Sequence, residues 1–319
     1  MKSIIFSEGN GYGHAARDSI ISEHFDFQIM TFGKGAEYCK QKNLNFIEIP
    51  IPYKIENKKG RVSIATNISD LLNYLAPSVY RTIQADFRKA DFVIVDGSPL
   101  GLAIAAATRK KAIFITNDTS ALVGIHGHLE KKIAGSLTKT LLRSAHAIVV
   151  PDFPPPFTIS SKNLDASLNL HFSGPLIKKT KQTKHAFKYL VPGNLAKSIQ
   201  PYLGSEALYG NSDGFSDCYL HSELVFCHGG HTTMMEALSY GKPIISIVDS
   251  AYSERVNNSA RLQELDLGVT INSNLLSKES VNLAIKYADT LNLRRLSTYS
   301  IIAKRSDPCK VLSQIVNEL

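Results

Sequence analysis

Short apolar runs punctuated by amphipathic stretches recur along the whole chain. In the first half Lys2–Phe6, Gln28–Thr31, Phe46–Ile51, Phe92–Val95, Ala112–Thr116 and Ala147–Val150 read as strands. In the second half Phe187–Val191, Leu224–Cys227, Pro243–Val248 and Val269–Ile271 do the same. Most are continuous and rich in β-branched residues, the pattern of parallel strands covered on both faces. Phe46–Ile51 alternates instead, with Ile47, Ile49 and Ile51 on one face, and Pro50 puts it near a sheet edge or a strand end. Helix-length segments separate the strands: Ala15–Ser22, Ala36–Gln41, the Ala-rich Leu100–Thr108, Leu195–Gln200 stopped by Pro201, and Thr232–Tyr240 ending at Gly241. A helix running past Asn258 to Leu265, then Lys278–Thr290 and Asp307–Leu319, close the chain. Strand and helix in alternation predict an α/β architecture built from βαβ steps.

Other stretches break the rhythm. From Ile68 to Phe87 apolar residues recur about every fourth position, interrupted at Pro77, which predicts one kinked helix or two consecutive ones. Between Tyr53 and Thr66, Lys54, Lys58, Lys59, Gly60 and Arg61 form a basic loop. Such a charge run is most often a solvated connection, and its functional alternative is a lid over a site. Leu129, Ile133, Leu137 and Leu141 fall on one helical stripe with Lys131, Lys132, Lys139 and Arg143 among them. That pattern fits a core-facing helix, and equally a basic amphipathic helix on an anionic bilayer. A rigid Pro151–Pro156 run and a lysine-rich linker, Lys178–Lys184, follow. At 319 residues the chain exceeds what one core supports, so two domains of roughly 150 residues are expected, 1–176 and 177–319.

Composition narrows the class. Hydrophobic and charged shares of 44% and 20% are those of a globular chain rather than a disordered one. Cys39, Cys218, Cys227 and Cys309 are dispersed without metal-ligand spacing, which argues for reduced thiols in a cytoplasmic protein and against a zinc site. The opening MKSIIFSEG is too short an apolar run for a signal peptide, and no stretch has the length of a membrane span. A net charge of +8 draws anions: nucleic acid, lipid headgroups or a phosphorylated substrate. Without a nucleic-acid module or a single Trp, no nucleic-acid partner is expected.

Candidate chemistry gathers at two glycine turns. Leu224–Cys227 runs into His228-Gly229-Gly230-His231 and a helix from Thr232, so strand, glycine turn and helix N-terminus follow in order. Glycines admit a phosphate close to the backbone, and the first helical amides point N–H groups at it. Glu236, about one turn in, is placed to reach a ribose, and Glu254-Arg255 and Asn257-Asn258 follow the next strand. Near the N-terminus, Lys2–Phe6 runs into Gly9-Asn10-Gly11-Tyr12-Gly13-His14 and a helix bearing Arg17. The spacing differs from the dinucleotide fingerprint and no acidic residue ends the second strand, so NAD binding is discounted. A histidine at a helix N-terminus is held neutral by the dipole and able to accept a proton; its bland alternative is to cap the helix or orient a phosphate.

The run HGGHTTMMEAL, then GKPIISI, then ERVNNSARL resembles the donor-binding signature of GT-B nucleotide-sugar glycosyltransferases, the branch of MurG-type and UDP-glucuronosyltransferase-type enzymes. The resemblance implies two Rossmann-like domains facing across a cleft: an acceptor-binding domain, 1–176, and a shortened donor-binding domain, 177–319, lacking about one strand–helix step. It places Gly229, Gly230, His231, Thr232 and Thr233 on the phosphates, Glu236 on the ribose, Glu254 on the acidic position that reads the sugar, and Asn258 on the asparagine of the same donor-binding signature. Arg255 stands where Gln is usual and Ser259 where Ala is usual. The segment Asn211–Tyr219 is similar to one that packs on the nucleotide base. The resemblance also matches Gly11, Gly13, His14 and Arg17 to the family's N-terminal loop, whose histidine is the proposed base. In glucuronosyl-type relatives an Asp partners that histidine, and Asp118 is the residue assigned here, with Asp96, Ser98 and Asn117 as neighbouring candidates.

The expected activity is inverting, metal-independent transfer of a sugar, GlcNAc foremost, from a UDP-sugar to an acceptor hydroxyl on a lipid-linked saccharide. No cofactor is implied beyond the UDP-sugar donor, and the protein is expected in the cytoplasm, peripheral on the inner membrane face. The alternatives are a UDP-sugar 2-epimerase of the same architecture and a non-catalytic partner subunit.

Overall fold

The computed structural model describes residues 2–51, 55–58, 61–64, 77–119, 138–178, 187–210, 215–250 and 252–319. Its contacts divide the chain into two units. One comprises Met1–Pro151, Leu164–Ser173 and Asp307–Leu319; the other comprises Asp152–Asn163 and Gly174–Ser306. This is not a single cut after residue 176. Phe153 and Ile159 insert into the apolar core of the second unit, and Phe153 meets Tyr299 edge to face at 4.7 Å, so the proline-rich run belongs there. The C-terminal segment returns to the first unit, where Lys111 Nζ donates to the Leu319 carbonyl.

The first unit is a parallel sheet of β1 (Ser3–Ser7), β2 (Gln28–Thr31), β3 (Phe46–Glu48), β6 (Phe92–Asp96), β7 (Ala112–Ile115), β8 (Ala147–Val150) and β9 (Leu170–Phe172). The spatial order is β3-β2-β1-β6-β7-β8-β9. β1 and β6 are buried at every position because both sheet faces are covered. Phe6, Val93, Val95 and Phe87 share one core while Ile5, Ile29 and Ile94 are fully buried on the other side. Helices α1 (Tyr12–Phe25), α2 (Gly33–Gln41), α3 (Pro77–Lys89) and α4 (Pro99–Ala107) make the connections. α3 starts at Pro77, the interruption in the apolar rhythm, where a missing N–H costs nothing in the first turn. The predicted helix ahead of it, 68–76, lies outside the described residues, as does most of the basic stripe at Leu129–Arg143. The basic loop includes a two-stranded antiparallel hairpin, β4 (Ile55–Lys58) with β5 (Arg61–Ile64).

The second unit is a parallel sheet of β10 (Phe187–Pro192), β11 (Ala207–Gly210), β12 (Ser222–Cys227), β13 (Ile244–Val248) and β14 (Gly268–Asn272), ordered β11-β10-β12-β13-β14. Helices α5 (Ala196–Leu203), α6 (Phe215–His221), α7 (His231–Ser239), α8 (Ser253–Glu264), α9 (Lys278–Ala288) and α10 (Leu293–Arg305) belong to it, and α11 (Pro308–Asn317) to the first unit. Sequence reasoning placed no strand between Val191 and Leu224; β11 fills that gap at the sheet edge, paired to β10 in the register Leu190↔Leu208. Pro201 does not stop α5 but sits inside it, and Gly204, at a positive φ of +58°, ends the helix. The segment 211–214 lies outside the described residues, and Phe215–Tyr219 opens α6. No helix among the described residues is long and apolar enough to cross a membrane.

Candidate active site

Each sheet reverses its strand order once. In the first unit the reversal falls between β1 and β6, and in the second between β10 and β12. Open α/β sheets bind ligands outside the carboxyl ends of strands at such a switch point. The two glycine turns found in the sequence follow β1 and β12, so each lies at a switch point of its own unit.

In the first unit Ser7 and Asp96 are register partners at the ends of β1 and β6. α1 begins immediately after, with Gly11 extended at its N-cap, so Gly13 and His14 occupy its first turn rather than a loop. His14 Nδ1 lies 3.0 Å from Asp96 Oδ1. Arg17, one turn on, donates from Nε to Asp96 Oδ2 at 2.5 Å and from Nη2 to Asp96 Oδ1. Asp96 is completely buried and Arg17 nearly so, while the His14 side chain keeps 28% exposure. Burial would raise the Asp96 pKa, but the Arg17 charge, then His14, outweigh it and hold the carboxyl well below the usual range. Arg17 Nη2 also approaches His14 Nδ1, at 2.9 Å. A proton on Nδ1 suits the carboxylate and a lone pair suits the guanidinium. Arg17 already holds both oxygens of Asp96, so we assign the proton to Nδ1, donating to the carboxylate and leaving a lone pair on Nε2.

Gly97 completes this arrangement. Its φ of +68° is left-handed, and a Cβ built on it would stand 2.3 Å from His14 Cε1. The imidazole therefore packs where any side chain would be. Sequence reasoning did not single out Gly97, although its place directly after Asp96 at a strand end was a signal. It assigned Asp118 as the carboxylate partner of His14; the structure places Asp96 there. β6 lies directly beside β1, whereas Asp118 follows β7, one strand further out, where its backbone closes a turn with Thr116. Ser98 accepts from the Gly101 amide as the N-cap of α4, and Asn117 is buried.

In the second unit Gly229 adopts φ +76°, and a Cβ there would fall 2.8 Å from both the Arg255 carbonyl and Ser259 Oγ. The turn thus lies flush on α8. Gly230 is the N-cap of α7 with no side-chain cap, and a Cβ on it would meet nothing within 4 Å. Open space beside Gly230, at a helix N-terminus without a side-chain cap, suits an anion at this turn. His228, half-buried before the turn, has its pKa lowered by burial and by Arg255, against a hydrogen bond to the Ile247 carbonyl and the charge of Asp249. Arg255 itself lies over the Tyr252 ring at 4.4 Å.

The residues sequence reasoning placed around the donor divide by what they touch. Glu236 is half-buried on α7, and burial pushes its pKa to about 7 against a hydrogen bond from Tyr219. Thr233 hydrogen-bonds the Tyr219 hydroxyl in turn. Glu254 lies in the first turn of α8. Asn258 is fully buried; its Nδ2 donates to the Gly229 carbonyl at 3.3 Å, and its Oδ1 accepts from Asn163 Nδ2 at 2.8 Å. It braces the turn from behind instead of projecting past it. His231 is buried as well, its Nε2 3.1 Å from Asp152 Oδ2, so only its backbone amide can face a ligand. Asp152 and Asn163 went unnoticed because their partners lie 79 and 95 residues away.

Residues 179–306 match the family model for the glycosyltransferase family 28 C-terminal domain. A protein named "Uncharacterized glycosyltransferase" from Methanosarcina mazei is 29% identical over 329 aligned residues, covering 84% of this chain and 85% of its own. Among solved structures, Arabidopsis thaliana UGT89C1, complexed with UDP-L-rhamnose, superposes with a TM-score of 0.68 at 13% identity, covering 99% and 98% of the two chains. CalG4, the calicheamicin glycosyltransferase, does so with a TM-score of 0.64 at 14% identity, again over 99% and 98%. The chain is a glycosyltransferase with the two-domain GT-B fold of these structures, and its second half matches the family 28 C-terminal domain.

Proposed function

We propose that the protein transfers a sugar from a UDP-sugar to an acceptor hydroxyl by a single displacement that inverts the anomeric carbon. His14 Nε2 takes the hydroxyl proton as the acceptor oxygen bonds to the anomeric carbon, and the bond from that carbon to the phosphate oxygen of UDP breaks. Asp96 fixes the Nδ1–H tautomer and offsets the imidazolium that forms. The Gly229–Thr233 turn receives the pyrophosphate, where oriented amides act on charge as it develops and take the place of a divalent metal. Glu236 hydrogen-bonds the ribose. The observation that carries this reading is the fully buried Asp96 carboxylate held against the partly exposed His14 ring at 3.0 Å.

GlcNAc is the sugar and a lipid-linked saccharide the acceptor in this reading, supported by the MurG-type signature and the net charge of +8. A peripheral position on the cytoplasmic membrane face follows from such an acceptor. The test is incubation with radiolabelled UDP-GlcNAc in EDTA, alongside UDP-glucose and UDP-glucuronate, and polyprenyl-diphosphate saccharides in anionic vesicles. Label in the lipid phase from UDP-GlcNAc supports the reading; label from another sugar, or only on adding metal, revises the donor or the metal independence.

A further inference from the structure

Asp18 is a buried acid beside this site that the mechanism does not use. It lies one residue past Arg17 on α1 and is 0% exposed; neither carboxyl oxygen makes a hydrogen bond of good geometry, although Ser7 and Asp96 stand close enough to act on its ionisation. Ser7 Oγ, also 0% exposed, likewise lacks such a bond. Ser7 is the register neighbour of Asp96, and Asp18 interacts with the side chains of both, so the three groups adjoin one another. A buried polar atom without a well-made hydrogen bond is costly, so three such atoms beside Asp96 call for a role.

Charge counting limits what that role can be. The region holds two carboxyl groups, Asp18 and Asp96, and one guanidinium, Arg17, with His14 at its edge; Cys39 on α2 faces Asp18 from the far side. Arg17 donates to both carboxylate oxygens of Asp96. Two adjacent buried carboxyls with one cation between them do not both ionise. Burial, and next the charge of Asp96, raise the Asp18 pKa well above the usual carboxylate range, with Arg17 opposing, and Asp18 in turn helps burial push the Cys39 thiol up to about 12.

We infer that Asp18 is a positioning residue: in its neutral form it offers Asp96 an O–H donor from behind, fixing the carboxylate against His14 and Arg17. The O–H is donated to Asp96, and Ser7 Oγ is the second partner of the acid. The consequence for transfer rests on the proposed base role of His14. The placement of Asp96 does not.

The experiment separates the two. ¹⁵N-labelled histidine NMR reads the His14 tautomer directly, without turnover, in the wild type, Asp18→Asn and Asp18→Ala. An Asn amide still donates to Asp96; Ala cannot. The inference expects Nδ1–H in wild type and Asp18→Asn, and a mixture of tautomers in Asp18→Ala with the fold retained by thermal melting. In transfer assays Asp18→Asn should keep at least half of kcat and its pH profile, while Asp18→Ala loses about tenfold in kcat with KM for the donor unchanged. Wild-type tautomer and kcat in Asp18→Ala would overturn the inference, and so would Asp18→Asn behaving like Asp18→Ala. If Asp18→Ala does not fold, Asp18→Asn alone decides, since a shifted tautomer there shows that charge and not donation matters. Failure of the base reading appears elsewhere, as transfer surviving in His14→Gln.

Discussion

His231 turns its ring inward: Nε2 lies 3.1 Å from Asp152 Oδ2, and that carboxylate also accepts from the amides of Phe153, Ile159 and Ser160 and from Ser160 Oγ. The histidine in the middle of the donor signature is thus an internal tie between α7 and the segment after Pro151. Burial works against this carboxylate, but His231, then Ser160, outweigh it and leave the Asp152 pKa lowered.

Asp152→Ala should therefore cost stability, by about 3–5 kcal/mol, because it strands buried donors. The sign of the pH effect follows from the lowered pKa. The contribution is present above the unfolded carboxylate value near 4 and is lost as pH falls through the folded value. Acid unfolding curves should show wild type losing its advantage over Asp152→Asn below about pH 4; parallel curves would remove Asp152 from the account.

Gly97→Ala should stop transfer. The new Cβ meets His14 Cε1 at 2.3 Å and the residue must also hold φ +68°. A stability loss of about 1–2 kcal/mol and a fall in kcat of at least a hundredfold, with donor affinity retained, are expected. Wild-type kcat in this variant would show that the ring does not need its present place.

Gly230→Ala isolates the ligand at the other turn. Its φ of −70° suits any residue and the space before it is empty, so thermal stability should stay within about 0.5 kcal/mol of wild type. If a phosphate occupies that space, UDP-sugar affinity falls at least tenfold. Gly229→Ala, by contrast, drives a Cβ into Arg255 and Ser259 and should lose both stability and affinity. Calorimetric titration and melting curves on the pair check both statements.

Much of this was legible beforehand because it depends on neighbours in sequence. The βαβ alternation, both glycine turns and the His14–Arg17 spacing are local patterns, and the structure keeps them. Strand order is not local. Nothing in the sequence said that β6 rather than β7 would lie beside β1, and that choice decides between Asp96 and Asp118. The inward turn of His231 and Asn258 was hidden for the same reason: Asp152 and Asn163 reach them from a segment read as the end of the first domain. Glu236 carried a further hidden feature, since only burial, not spacing, raises its pKa.

That feature makes donor binding depend on pH near neutrality. A Glu236 carboxylate accepts two ribose hydroxyls and a neutral acid accepts them poorly, so affinity should rise as pH passes from 6 to 8 through the value of about 7. The change expected is roughly tenfold, and Glu236→Gln should be weaker throughout and flat. A wild-type profile as flat as the variant's would mean that Glu236 does not meet the ribose.

The central claim is that the second unit holds a nucleotide sugar at Gly229–Thr233 with Glu236 on its ribose. Isothermal titration of UDP and UDP-sugars into wild type and Glu236→Ala at pH 8 tests it most directly. The account predicts saturable binding of a UDP-sugar to wild type and at least tenfold weaker binding to the variant, the loss of a charge-assisted contact of about 1.5–3 kcal/mol. Equal affinity in the two proteins, or no UDP-sugar binding to wild type, would contradict it.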